Sequence, residues 1–152
     1  MKNILDFTLQ NRKNLLAIFT KTPKEKLLQI PEGFNNNIYW NIAHTVVTQQ
    51  LLCYKLSGLE MQVPLEMVDT FKKGTTPDGF ASDAEMRWVE SVLVSTIERT
   101  KEDFKRGLFS EYHEYTTSAR VTLTTINDAI PFNLFHEGLH LGAIIVLLNH
   151  VR

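Results

Sequence analysis

Apolar residues in this chain recur at intervals of three and four along four long stretches and almost nowhere alternate. That pattern restricts the chain to a fold built from amphipathic helices. The first stretch runs from about Asn3 to Lys21 and would turn Ile4, Phe7, Leu15, Ile18 and Phe19 towards a core. Thr22-Pro23 then opens a short helical turn, closed by Pro31 and Gly33. The second, from about Asn36 to Ser57, carries Trp40, His44, Val47, Leu51 and Leu52, and Gly58 follows as its C-terminal cap. Ser82-Asp83-Ala84-Glu85 reads as a capping box opening the third, which presents Met86, Val89, Leu93, Ile97 and Phe104 inward and ends near Gly107. Thr125-Ile126-Asn127-Asp128 is a similar start for the fourth. Pro131 places the beginning of its regular part there, and the helix should run to about His150.

The segment from Gly58 to Ser82 holds three of the seven glycines and two of the five prolines. It is too long for a tight antiparallel turn, so it reads as a crossover with one short helix over Pro64 to Phe71. Tyr112 to Thr124 is rich in Tyr, Thr and Val and suits a short hairpin. The expectation is an all-α protein, a four-helix bundle with a long crossover between its second and third helices, as a single domain over residues 1–152.

Composition narrows the function classes. With 16 basic and 17 acidic residues there is no nucleic-acid footprint. The N-terminal residues turn polar too soon for a signal peptide, and no apolar run approaches a membrane span of roughly 18–20 residues. A cytoplasmic protein acting on a small molecule is expected, without nucleic-acid or membrane partners. The single cysteine, Cys53, excludes an intrachain disulfide and any paired-cysteine metal motif, which leaves histidine and carboxylate as metal ligands.

Within the fourth helix, His136-Glu137-Gly138-Leu139-His140 places two imidazoles four residues apart. At about 100° per residue they lie roughly 40° apart on one face, one turn above the other. Such a two-point grip suits Zn, Ni, Fe or Cu, and a stable catalytic site wants a third protein ligand. Sought by face, His44 stands out in the second helix, sharing its side with Asn37, Trp40, Asn41, Thr48 and Leu51. A polar strip beside a tryptophan makes sense lining a cavity that holds a ligand. Asn133 projects to the same side as His136 and His140 and could orient an imidazole. His150 lies about 15 Å along the axis from His140 and is better read as a charge complementing the helix dipole. Cys53 projects away from His44, as a buried structural thiol would.

The histidine pair also satisfies the H-E-x-x-H pattern of zinc peptidases, with Glu137 as general base. The extended form of that pattern requires glycine and histidine where this chain has Ala143 and Val146, and no Asp or Glu follows Glu137. Glu137, about 100° from His136, reads equally as a partly exposed helix carboxylate and as a catalytic group. Gly138 and Gly142 share the face opposite the histidines, as at a close helix contact, and Ala143 to Leu148 is apolar all round. Both features fit a homodimer.

Trp40-x-x-x-His44 on a second helix, a long crossover, and a last helix bearing His136-Glu137-x-x-His140-x-Gly142-x-Ile144 resemble the DinB/YfiT-like superfamily of bacterial metalloproteins, in element order over essentially the whole chain. The resemblance implies an up-down-down-up four-helix bundle, often dimeric, with a divalent metal held by one histidine of the second helix and two of the fourth. These map to His44, His136 and His140. The chain departs from many relatives in having Ala143 after Gly142 in place of glutamine, and Gln49 where an acid is common. Some similar proteins are transferases that use a low-molecular-weight thiol. A three-histidine site for Zn or Ni, with Fe or Mn as further options, would activate such a thiol as the nucleophile. The alternatives are a metal-binding or sensing module without catalysis, and a metal-dependent hydrolase of the H-E-x-x-H type.

Overall fold

The computed structural model describes residues 2–151, and among these the long elements are helical. Helix α1 spans Lys2–Lys21, α2 Lys24–Leu28, α3 Ile38–Cys53, α4 Leu65–Phe71, α5 Asp83–Lys105 and α6 Ile126–Leu148. A single 3₁₀ turn, Lys55–Ser57, extends α3 and ends at Gly58, whose φ of 68° is the left-handed cap that glycine adopts without a Cβ penalty. The two-stranded hairpin of β1, Tyr115–Thr116, and β2, Thr122–Leu123, pairs Tyr115 with Leu123 and Thr116 with Thr122.

Cross-helix contacts give the directions of the four long helices. Tyr39 with Glu85, Gln49 with Thr100 and Tyr54 with Asp103 advance together, so α3 and α5 run parallel. Asp6 with Lys101 and Arg12 with Leu93 run oppositely, so α1 is antiparallel to α5, as α3 is to α6 through His44 with His136 and Asn41 with His140. This is the up-down-down-up order, and it requires the crossover from 54 to 82 because parallel neighbours cannot be joined by a short loop.

Two apolar clusters make the core. One gathers Leu15, Phe19, Val46, Val47, Leu93, Ile144 and Leu147; the other gathers Leu5, Leu52, Tyr54, Leu123, Ile126 and Ile130. Where α1, α3, α5 and α6 pass from one to the other they carry buried polar residues: Asn11 and Arg12, Thr45 and Gln49, Thr96 and Thr100, Asn133 and Glu137. A polar layer therefore crosses the middle of the bundle, and the histidines belong to it.

Several expectations change. The buried stripe of α1 is Leu5, Thr8, Arg12, Leu15 and Phe19, and Phe7 is 64% exposed. Thr8 and Arg12 take core positions because their polar atoms find partners inside, Thr8 on the Ile4 carbonyl and Arg12 as described below. Ser82 caps α5 by accepting from the Glu85 backbone N–H, but the Glu85 carboxylate accepts from the Tyr39 hydroxyl, so the reciprocal half of that capping box is not made. Helix α6 begins at Ile126, not at Pro131: Asp128 Oδ2 accepts from the backbone and hydroxyl groups of both Thr124 and Thr125, which anchors the first turn ahead of the proline.

Gly138 and Gly142 are not at a helix contact, since a Cβ built on either would meet nothing within 4 Å. They lie on an open face of α6 with Phe135, Leu139, Ile145 and Val146 exposed beside them. By length and composition α6 is also apolar enough to cross a membrane, which the histidines and Glu137 disguise in the linear sequence. In the fold it packs against α1 and α3 and buries Asn133, Glu137, Ile144 and Leu147.

Candidate metal centre

The site is made where α3 and α6 face each other. The rings of His136 and His140 lie one helical turn apart, tilted by 57° with centroids 4.5 Å from one another, and His44 closes the triangle at 5.1 and 4.6 Å. Their Nε2 atoms converge: His44 to His136 is 3.3 Å and His136 to His140 is 3.1 Å. One ligand atom from each of the three lies within 4.8 Å of the other two.

The other ring nitrogens explain this orientation. His44 Nδ1 is 2.6 Å from the carbonyl of Phe71, the last residue of α4. A carbonyl only accepts, so Nδ1 carries the proton and Nε2 keeps its lone pair. That carbonyl is free for the purpose because the final carbonyls of a helix have no intrahelical donor. His140 Nδ1 donates to Asn41 Oδ1 at 2.7 Å, and Asn41 is held in that sense because its amide donates to the Asn37 carbonyl. His136 Nδ1 is buried without a partner. Trp40 stacks flat on His44 at 4.5 Å and 12°, its indole N–H donating to Thr75 Oγ1, and Thr48 Oγ1 lies 3.2 Å from His44 Nε2.

Two Nε2 lone pairs aimed at a third ring nitrogen repel one another unless something positive lies among them. A proton on His136 Nε2 can serve one partner at a time; a cation accepts from all three. The donor set is also neutral. Burial, the mutual repulsion of the rings and Arg12 push His136 down to about 3, burial and His44 push His140 down to about 4, and burial lowers His44 against the opposing pull of the Phe71 carbonyl. Neutral imidazoles, two of them held by partners on their far nitrogens, are what a borderline divalent metal requires.

These directions carry a stability consequence. The folded-state values lie below the ordinary histidine value of about 6.5, so the unfolded chain takes up protons first as pH falls. For metal-free protein the resulting stability is fully present above about pH 6.5 and is lost progressively as pH drops towards 3. Urea midpoints at pH 7.5 and 5.0 are expected to differ by the equivalent of about 2 kcal/mol for each of His136 and His140. Equal midpoints would contradict the depressed values.

The histidines open onto a cavity of about 590 Å³, a size suited to a small molecule. Trp40, Thr48 and Leu51 line it, as the strip on α3 suggests. Asn41 stands behind His140 as its orienting group. Asn37 does not line the cavity: it caps α3, accepting from the Trp40 backbone N–H at 2.7 Å and donating to the Leu28 carbonyl at 2.9 Å. Asn133 does not orient an imidazole either, because its amide donates to Glu137 Oε1 at 2.8 Å.

Glu137 is fully buried, contrary to a partly exposed position. Oε1 accepts from Arg12 Nη2 at 2.9 Å as well as from Asn133, and Oε2 accepts from Asn11 at 3.1 Å. Arg12, equally buried, also donates to the carbonyls of Leu93 and Thr45, so this one pair ties α1, α3, α5 and α6 together. Glu137 does not line the histidine cavity, and a hydrolase reading is left without its base there. Gln49 likewise turns into the α3–α5 interface, donating to Thr100 Oγ1. Cys53 is buried, and burial pushes its thiol up to about 12, consistent with a structural residue.

The remaining wall comes from segments whose role is hard to see in sequence. The crossover supplies Lys55, Leu56, Lys73 and Gly74, the hairpin supplies Tyr115, Thr117 and Ser118, and Asn36 and Phe132 complete it. A hairpin could be suspected from Tyr112 to Thr124, but nothing in its composition says that it folds over the histidines.

Fold and site together define a helical bundle with a three-histidine group able to hold a metal ion. The sequence matches the DinB superfamily over residues 8–144, and the chain belongs to that superfamily. No match was found among curated proteins.

Proposed function

We propose that this protein is a metal-dependent transferase that uses a low-molecular-weight thiol. The observation that carries this reading is a set of three neutral, converging imidazoles opening onto a small-molecule cavity lined by no carboxylate. Chemistry at such a site must proceed without a carboxylate base. A divalent ion bound there, Zn or Ni before Fe or Mn, would lower the pKa of a thiol and hold it as a thiolate. Transfer of such a thiol to an electrophilic carbon would form a C–S bond as the leaving group departs with its electron pair, the thiol proton passing to solvent.

The chain's own residues fix the geometry for this. Phe71 and Asn41 hold two of the rings, Trp40 covers the face of His44, and Leu51, Leu52, Leu56 and Phe132 keep bulk water from part of the cavity. The test is turnover of a small thiol with monochlorobimane by protein stripped of metal and then reloaded with Zn or Ni. Activity restored by metal and absent without it supports the transferase. Stoichiometric metal with no turnover across thiols would favour a binding or sensing module instead.

We infer further that the protein works as a cytoplasmic homodimer formed through the open face of α6. Phe135, Leu139, Ile145 and Val146 are 46–58% exposed there, beside glycines that leave room for a close approach. Leu139→Glu is expected to convert a dimer to a monomer in sedimentation experiments at roughly micromolar concentration, with an affinity loss of at least about thirtyfold. An unchanged mass would remove this face from consideration.

A further inference from the structure

The histidine cavity has a one-sided charge distribution that the thiol reading alone does not require. Two lysines line it: Lys55, in the 3₁₀ turn after α3, and Lys73, just beyond α4. No aspartate or glutamate does. Among the described residues neither lysine has a carboxylate within ion-pair distance, although the neighbouring Lys72 is paired with Asp69 at 2.7 Å. The chain as a whole carries a net charge of −1, so this is no consequence of general basicity. The contrast is local too. A more open cleft of about 810 Å³ along the crossover shares Leu51 and Lys55 with the cavity, yet mixes Lys72 with Glu60 and Asp69.

We propose that Lys55 and Lys73 are specificity-determining residues for a small molecule with a carboxylate at the end remote from the metal. Its other end is the donor atom that reaches the histidines. This deepens the function proposed above and rests on that reading for the identity of the donor as a thiol. The two walls of the cavity come from different parts of the fold: α3 and α6 bring the histidines, and the crossover brings both lysines. Leu51 and Leu52 lie near the end of α3 between His44 and Lys55, and Leu56 follows Lys55 in the turn. Thr117 and Ser118 on the hairpin add hydroxyl donors for carboxylate oxygens. A carboxylate fits better than a phosphate because no arginine lines the cavity to offer the fork of donors that favours phosphate. An exposed lysine retains much of its hydration, so each contributes modestly and the pair sets preference more than total affinity.

The experiment uses the zinc-loaded protein, calorimetry and two matched pairs of probes: S-methylglutathione with its diethyl ester, and glutathione with its diethyl ester. The acids are expected to bind about three- to tenfold more tightly than the esters. Lys55→Glu with Lys73→Glu should abolish or reverse that ratio while leaving zinc content and melting temperature unchanged, since both side chains are exposed. The S-methyl pair cannot offer a thiolate, so its acid-to-ester ratio tests the lysines alone. If glutathione binds no better than its S-methyl form, the thiol reading fails while a lysine-dependent ratio still upholds the anionic preference. Equal binding of acid and ester, a ratio that survives in the double variant, or no binding of either S-methyl compound would overturn the proposal.

Discussion

Glu137→Ala is expected to destabilise the protein by about 3–5 kcal/mol, the largest effect of any single substitution considered for this chain. The carboxylate is completely buried and accepts from Arg12, Asn133 and Asn11. Its removal strands a guanidinium that is also fully buried, together with two amides, in the polar layer between the two apolar clusters. Glu137→Gln keeps the shape but removes the charge, and should lie between the alanine variant and wild type. The pair Arg12→Met with Glu137→Leu should cost much less than the sum of its parts, because replacing both members leaves no uncompensated charge. Urea denaturation followed by circular dichroism reads these proteins together with the single variants Arg12→Met and Glu137→Leu. A loss below about 1 kcal/mol for Glu137→Ala would mean that water reaches Arg12 and that the layer is less dry than its geometry indicates.

The second large effect concerns metal. His136→Ala removes the ring whose Nε2 lies 3.3 and 3.1 Å from those of its two partners, and is expected to weaken Zn or Ni binding by at least about a hundredfold. Competition against a chelating dye measures this directly. The same variant should lose the rise in melting temperature that metal gives the wild type, because stabilisation by a ligand depends on its affinity for the folded state. Asn41→Ala leaves all three rings in place but frees His140 Nδ1, and a smaller loss of about 10–100-fold is expected. Full metal occupancy in His136→Ala would show that the three-histidine assignment is wrong.

Much of this architecture is legible in the residues. The long helices, the short helix in the crossover and the glycine that closes α3 follow from apolar spacing and from proline and glycine positions, because those signals act within a turn or two of chain. The phase of α1 is less legible. Thr8 and Arg12 look like solvent-facing residues until the carbonyl of Ile4 and the carboxylate of Glu137 are seen to receive them, and Phe7 looks like core until its side proves to have no neighbour to cover it. Periodicity ranks residues by side-chain polarity, and a buried polar residue with a distant partner defeats it.

The candidate site divides in the same way. His136 and His140 are a pair by helix geometry alone, and the polar strip on α3 singles out His44. Glu137, however, sits one residue from His136 and yet serves a different structure, because a step of about 100° turns it towards α1. Asn37 and Asn133 share a projected face with the histidines but are taken by the cap of α3 and by Glu137.

Taken by itself, the sequence determined the secondary structure, the need for a crossover and the histidine pair, all of which depend on contacts within a few residues. Only the tertiary structure decided which nitrogen of each imidazole is free, that Glu137 belongs to a buried ion pair, and that Lys55, Lys73 and the hairpin share a cavity with the histidines. Those outcomes rest on hydrogen bonds and walls joining residues 27 to 126 positions apart. Such pairings leave no periodic trace along the chain, because they are selected by how four helices meet and not by how any one of them is written.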